Sequence, residues 1–183
     1  MIFKSFKKIY KTNQEIDKVF VFYNNLVNLA RNPDLYLKGG VPDTIDGRFE
    51  LIVLHAHFFI KKLTKSGDKG HTFAQNLIDC MVKDFDLSLR EIGVGDLSVG
   101  KKVKHMVSSY YGRAKIYDET IVDFDGNFLK ALKNNLYGTV VPKDSHLKFI
   151  LEYIKLLNEV IDKIDGKNFM KCFEYKYFEE IRG

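Results

Sequence analysis

The 183-residue chain has no tryptophan, only three prolines and only two cysteines. Because chain breakers are few and no segment alternates strongly between polar and apolar residues, the sequence disfavours a β-sandwich or barrel. Cys80 and Cys172 are far apart and outside any CxxC pair. They are therefore predicted to be reduced core thiols in a reducing compartment, not a disulfide or a metal site. The longest apolar run, Leu51–Ile60, is interrupted by His55 and His57 and is too short to span a bilayer.

What the chain does contain is typical of one folded domain with a single core, since 45% of the residues are hydrophobic and 29% are charged. The net charge of +5 permits contact with nucleic acid, anionic lipid or an acidic protein, although a solvated basic surface is the commoner reason for such a charge. Residues Met1–Lys11 carry four lysines and no acid. We predict a basic flexible tail over residues 1–11, with a weak interfacial helix on anionic lipid as the alternative, and a helical domain over residues 12–183.

Apolar residues recur every three to four positions along most of the chain, which predicts an all-α fold: a single domain of six to seven helices around a central buried helix. The central helix is assigned to Arg48–Leu63, because this segment is apolar on almost every side and keeps only narrow polar strips, one of them formed by Glu50, His57 and Lys61. The other helices are predicted over residues 12–32, 71–91, 96–120, 124–137 and 145–164, with a loop over residues 34–44 and a last aromatic-rich segment over residues 169–181.

Two short motifs suggest ligand sites and fail on closer inspection. The segment Gly95–Lys101 fits GxxxxGK, but Lys102 stands where a P-loop needs serine or threonine, and the preceding segment is helical rather than a strand. His55 and His57 are two positions apart, so on a helix their rings point to nearly opposite faces and cannot share one ion. We therefore expect no cofactor and no metal.

Several charged residues lie at predicted helix ends or beside apolar stripes. An arginine in such a place usually pairs with a carboxylate, and we predict that Arg48, Arg90, Asp96 and Arg113 converge into one network. The network either fixes the register of the helices or forms a polar rim at a binding surface for a partner or client. Asp96 is expected to be both a helix N-cap and an arginine partner, so that Asp96→Ala lowers the melting temperature clearly. The full predicted set is Asp43, Asp46, Arg48, Arg90, Glu91, Asp96, Arg113 and Tyr117.

A second predicted surface is the exposed face of the helix over residues 96–120. Lys101, Lys104, His105 and Lys115 fall on the side opposite its apolar stripe. We expect this basic stripe to face an anionic partner, whether lipid, RNA or an acidic protein, with binding that depends on salt.

Two stretches of the chain resemble a known family. The first is PDTIDGRFEL at Pro42–Leu51, and the second is DFDLSLREIGVGDL at Asp84–Leu97, followed by Tyr111-Gly112-Arg113-Ala114. Together they are similar to the ubiquinol–cytochrome c chaperone family, which assists assembly of the cytochrome bc1 complex. The resemblance is strongest over residues 34–117, and the short chain is more like a bacterial member.

The resemblance implies a non-enzymatic assembly chaperone, associated with the membrane, that binds newly made cytochrome b or a related hydrophobic membrane client. It also implies a small partner protein and the ribosomal exit region as further partners. From the basic residues we expect peripheral contact with anionic membrane, and we expect no sequence-specific nucleic acid. The expected location is the cytoplasm, peripherally at the inner membrane, or the matrix side in a eukaryote. The alternatives are a basic helical ribosome- or RNA-binding protein and a general protein-interaction scaffold.

Overall fold

The computed structural model describes residues 14–124, 126–138, 140–164 and 181. These residues contain α-helices and no strand, so the predicted all-α single domain is confirmed. The seven helices within the described ranges are α1 (Gln14–Ala30), α2 (Pro33–Leu37), α3 (Ile45–Thr64), α4 (Gly67–Glu91), α5 (Asp96–Thr120), α6 (Asn127–Leu136) and α7 (Asp144–Asp162).

Helix α3 is the central element, as its nearly all-round apolar sequence predicts. Fourteen of its twenty residues are buried, and α1, α4, α5, α6 and α7 all pack against it. An amphipathic helix needs only one apolar stripe to pack on a core, whereas a helix surrounded by others must be apolar on most sides. The position of α3 therefore follows directly from its composition.

The neighbours of α3 bury one stripe each. In α4 the buried residues recur every three to four positions over most of the helix, and they include Cys80 and Phe85. In α1, Phe22 makes edge-to-face contacts with Phe59 of α3 and Phe73 of α4, with ring centroids 5.0 and 5.8 Å apart. Such aromatic pairs add to the stability of a core beyond the area they bury. The stripes therefore join α1, α3 and α4 into one core.

Two helix starts differ most clearly from the predicted boundaries, those of α2 and α4. The expected loop over residues 34–44 is wrong in its first part, because Pro33 begins the short helix α2. The side chain of Asn32 caps α2 by accepting a hydrogen bond from the Asp34 N–H, and proline is well suited to the first helical position. Helix α4 begins at Gly67, within the segment Ser66–Gly70 whose glycines indicate a turn.

Three of the predictions fall outside the described residues: the basic tail over residues 1–11, the thiol of Cys172, and all but residue 181 of the aromatic-rich segment over residues 169–181. Within the described part of the chain, none of the helices is both long enough and apolar enough to cross a membrane.

Candidate functional site

The predicted polar residues do not form one network. The structure divides them into separate ion pairs at three places in the fold: Arg48 with Asp43 before α3, Arg90 with Asp86 and Asp96 at the corner between α4 and α5, and Arg113 with Glu50 between α3 and α5. Two of the three arginines find a carboxylate within six positions along the chain. Arg48 and Arg90 thus pair with carboxylates near them in sequence, and Arg113 pairs with Glu50 at a different place in the fold. The expected convergence of Arg48, Arg90, Asp96 and Arg113 is therefore wrong.

The pair at the α4–α5 corner is a surface feature. Arg90 donates to Asp86 at 2.9 Å and also contacts Asp96, but the side chain of Asp96 is 87% exposed. Gly95, not Asp96, occupies the N-cap position of α5, and no side chain caps that helix end. Asp96 is therefore neither the N-cap of α5 nor a buried partner of an arginine, so the expected large effect of Asp96→Ala has lost both of its reasons. Glu91, in the last turn of α4, is likewise exposed.

The pair between α3 and α5 is the buried one. The guanidinium of Arg113 donates to both carboxylate oxygens of Glu50, with Nε–O distances of 2.7 and 2.6 Å, and its carbon lies 5.8 Å from the ring centre of Phe49. The side chain of Glu50 is only 6% exposed. Burial raises the pKa of Glu50, and the Arg113 hydrogen bonds act in the opposite direction. Because a buried carboxylate needs such a partner, this contact fixes α5 on α3.

The Glu50–Arg113 pair belongs to a longer polar contact between the two helices, which we call the α3–α5 seam. Further along it, Lys61 binds Asp118 at 2.6 Å, and Nε2 of the buried His57 lies 3.7 Å from the same carboxylate. Burial lowers the pKa of His57 to about 4. In the sequence, the polar strip Glu50, His57 and Lys61 is the signal of this seam. Its partners on α5 are Arg113 and Asp118.

Tyr117 also lies on the α3–α5 seam and is fully buried. Its hydroxyl accepts a hydrogen bond from the Asn135 amide at 3.3 Å, and its ring packs against His57 and Phe128. A side chain without exposed surface cannot contact a partner, so of the two roles predicted for Tyr117 only the supporting one fits. The seam holds the two helices together through its buried members Glu50, His57 and Tyr117, while Lys61 and Asp118 remain partly exposed at its end.

A second buried histidine links α3 to α7 on the other side of the core. Nδ1 of His55 donates to the carbonyl of Leu51 at 2.7 Å, so in the neutral ring Nε2 accepts a hydrogen bond from the Tyr153 hydroxyl at 2.6 Å. Burial lowers the pKa of His55 to about 4. Both ring nitrogens are thus used inside the protein, which gives His55 a structural role.

The exposed pair Asp43–Arg48 lies at a pocket of about 530 Å³, which we call the α2 pocket. Leu37, in its wall, is 77% exposed, and Arg31, at its rim, makes no ion pair within the described part of the chain. An apolar wall beside the guanidinium of Arg31 suits a hydrophobic segment that carries an acidic group. The apolar wall is made by Pro33, Tyr36 and Leu37, and the polar rim by Arg31, Asp43 and Arg48.

The α2 pocket is shaped by a close contact at the start of α3. The Thr44 hydroxyl caps this helix by accepting a hydrogen bond from the Gly47 N–H at 3.1 Å. The carbonyl of Pro42 lies where a side chain at position 47 would begin, so only glycine fits there. This contact holds Asp43 and Arg48 at the rim. Asp46, in the first turn of α3, is exposed beside them.

A larger pocket, of about 580 Å³, lies where α3 and α7 end. Its lysines include Lys61 and Lys62, which are already engaged: Lys61 binds Asp118, and Lys62 donates to the backbone carbonyl of Asp162 at 2.9 Å. Lysines near helix C-termini also offset the negative end of the helix dipole. Two of the three lysines that line this pocket thus have partners within the protein, whereas Arg31 of the α2 pocket makes no ion pair with a described residue.

The predicted basic stripe lies on α5 as a solvent-facing surface. Lys101, Lys104, His105 and Lys115 are all exposed. Lys115 is 3.9 Å from Glu119, whereas the other three make no ion pair with any described residue. Leu97, at the start of the same face, is fully exposed. The exposed side of α5 thus combines cationic and apolar groups.

Comparison with known proteins gives a consistent result. The family model described as ubiquinol-cytochrome C chaperone matches residues 37–172. The chain is 21% identical over 155 residues to the mouse ubiquinol-cytochrome c reductase complex assembly factor 1, a match that covers 85% of this chain and 52% of the mouse protein. It is 21% identical over 137 residues to the Xenopus laevis protein of that name, covering 75% of this chain and 68% of the relative. The chain thus spans about half the length of the mouse relative.

A solved structure is similar over almost the whole chain. The crystal structure of the Cbp3 homolog from Brucella abortus is 28% identical in sequence and superposes with a TM-score of 0.74, covering 93% of both chains. The range matched by the family model, residues 37–172, includes the helices that form the α3–α5 seam and the exposed face of α5.

Proposed function

Because this chain belongs to the ubiquinol-cytochrome C chaperone family, we propose that it is a non-enzymatic assembly chaperone of the cytochrome bc1 complex. Its client in this proposal is newly made cytochrome b or a similar hydrophobic membrane protein. The observation that carries the proposal is the match of the family model to residues 37–172, which spans most of the described helices.

We assign client binding to the α2 pocket. The pocket offers exposed apolar surface at Leu37 and, at its rim, the guanidinium of Arg31, which makes no ion pair with a described residue. A hydrophobic segment that has not yet found its place in a complex needs an apolar surface to cover it, and cationic groups beside that surface select a segment with an acidic neighbour. The α3–α5 seam supports this site by fixing α3, whose first turn carries Arg48.

The experiment is affinity capture of cytochrome b by the full-length chain from a detergent-solubilised membrane fraction of the native cell, with the captured proteins identified by mass spectrometry. We expect wild-type protein to retain cytochrome b. Leu37→Ser should reduce capture strongly, because it removes an apolar contact, and should leave folding almost unchanged, because Leu37 is 77% exposed. Val141→Ser is the matched control, since Val141 is 90% exposed and is not among the residues that line the α2 pocket.

Two results would contradict the proposal at different levels. If wild-type protein retains ribosomal RNA or unrelated proteins but no cytochrome b, the chaperone function is wrong for this chain. If cytochrome b is retained equally by wild type, Leu37→Ser and Val141→Ser, the function stands and the assignment to the α2 pocket is wrong.

A further inference from the structure

We propose that the exposed face of α5 rests on an anionic phospholipid bilayer. The face is defined by Leu97, Lys101, Lys104, Tyr111 and Lys115. The membrane contact places the chaperone beside a client that is itself a membrane protein, and to that extent it rests on the proposed function and deepens it.

The first argument is charge. From Leu97 to Tyr117 the chain contains no aspartate or glutamate, while it contains four lysines and one arginine. The arginine, Arg113, is turned inward to Glu50, and Lys102 lies at least about 100° around the helix axis from the face, so Lys101, Lys104 and Lys115 supply its charge. An anionic membrane surface attracts each nearby lysine, and separate lysines act together on a surface that presents many phosphates.

The second argument is the shape of the face. On a helix with about 100° between successive residues, Leu97, Lys101, Lys104, Tyr111 and Lys115 fall within one narrow stripe along the axis. The stripe follows the outer side of a single helix, and Leu97 and Tyr111 are separated along it by about 21 Å. A row of groups along one convex helix surface matches a flat bilayer, whereas an RNA strand needs a groove that follows its backbone.

The third argument is how the apolar groups are exposed. Leu97 is 102% exposed and Tyr111 is 53% exposed, with lysines between them. Two isolated apolar side chains do not form the continuous apolar centre of a protein–protein interface. They are suited to dip into the boundary between headgroups and acyl chains, while the lysines bind the headgroups.

The acidic residues nearest to this face lie at its two ends. Asp96 is held by Arg90 at the α4–α5 corner, and Glu119 lies beside Lys115. Asp118 is turned toward Lys61 on α3. Glu91, at the end of α4, is exposed at the corner. The bilayer therefore contacts the side of α5. The α4–α5 corner, which carries Asp96 and Glu91, lies beyond the end of this contact.

The test is co-sedimentation of the full chain with vesicles of phosphatidylcholine alone and with vesicles that contain equal amounts of phosphatidylcholine and phosphatidylglycerol. We expect binding to the anionic vesicles that weakens as salt is raised, and little binding to phosphatidylcholine. Lys101→Glu combined with Lys104→Glu should lower the partition coefficient by at least about 25-fold, since each lysine near an anionic surface contributes about five-fold. Leu97→Ser should lower it by a smaller factor.

Matched variants control for charge and for apolar surface elsewhere. Lys130→Glu with Lys133→Glu makes the same charge change on exposed positions of α6, and Val122→Ser removes a side chain that is 90% exposed. Equal binding by the α5 and α6 double variants would overturn the proposal, as would absence of binding to anionic vesicles. The two proposals fail in different experiments. If the wild-type chain binds anionic vesicles but captures no cytochrome b, the proposed function fails and the membrane contact stands. If it captures cytochrome b but does not bind anionic vesicles, the membrane contact alone fails.

Discussion

Removal of Arg113 should destabilise the protein more than removal of an exposed arginine. Arg113→Leu leaves the Glu50 carboxylate, which is 6% exposed, without its two hydrogen bonds. Breaking a buried ion pair from one side costs about 3–5 kcal/mol, because the remaining charge is buried and uncompensated. Arg90→Leu is the control, since its pairs are exposed and such pairs contribute about 0–1 kcal/mol.

The stability lost in Arg113→Leu should also depend on pH. Burial already raises the pKa of Glu50, and Arg113 opposes that rise. An acid whose pKa is higher in the folded than in the unfolded state stabilises the fold below the unfolded pKa, and this contribution is lost as pH rises through the folded pKa. Without Arg113 the pKa of Glu50 rises further. The destabilisation by Arg113→Leu should therefore be largest at neutral pH and smaller in mild acid, where Glu50 binds a proton.

The measurement is urea unfolding followed by far-ultraviolet circular dichroism, at neutral and mildly acidic pH, for wild type, Arg113→Leu and Arg90→Leu. The double variant Glu50→Leu with Arg113→Leu should recover most of the lost stability, because it removes the unpaired charge as well. The reasoning would be refuted if Arg113→Leu lowered the free energy of unfolding by less than about 1 kcal/mol at neutral pH. It would also be refuted if this decrease did not change with pH.

Three other outcomes follow from the same contacts. Asp96→Ala should lower the free energy of unfolding by at most about 1 kcal/mol in the same urea assay, since its ion pair is exposed. Gly47→Ala should cost about 1–3 kcal/mol, because the added methyl group meets the Pro42 carbonyl, and a parallel capture experiment should show weaker retention of cytochrome b. Wild-type stability should fall as pH decreases from about 6.5 toward about 4, because His55 and His57 stay neutral in the fold while the unfolded chain gains protons.

The fold is largely predictable because its central helix has an unusual composition. Residues 48–63 are apolar on almost every side, and this pattern identifies a helix surrounded by others without any knowledge of those neighbours. The boundaries are harder to predict. Pro33 predicts the end of α1, but an asparagine followed by proline is equally a signal for the start of a helix, and α2 begins there.

The pairing of charges is less predictable than the helices. Periodicity indicates which side of a helix a residue occupies, but not which residue of another helix it meets. The Glu50–Arg113 pair joins positions 63 residues apart, so it depends on how α5 lies across α3. The prediction of one network fails for a related reason. Arg48 and Arg90 form ion pairs with carboxylates close to them in sequence, so they do not extend to the Glu50–Arg113 pair.

The arrangement of α5 separates stability from association. Its buried residues are Val99, Tyr110 and Tyr117, and the Arg113 contact to Glu50 lies on the same side. The lysines of the exposed face lie on the opposite side of the helix axis and are open to solvent. A substitution on the inner side therefore changes the free energy of unfolding, and one on the outer side changes binding alone. A charge reversal at Lys101 that lowered both would mean that this half of α5 is packed against something that the described residues do not include.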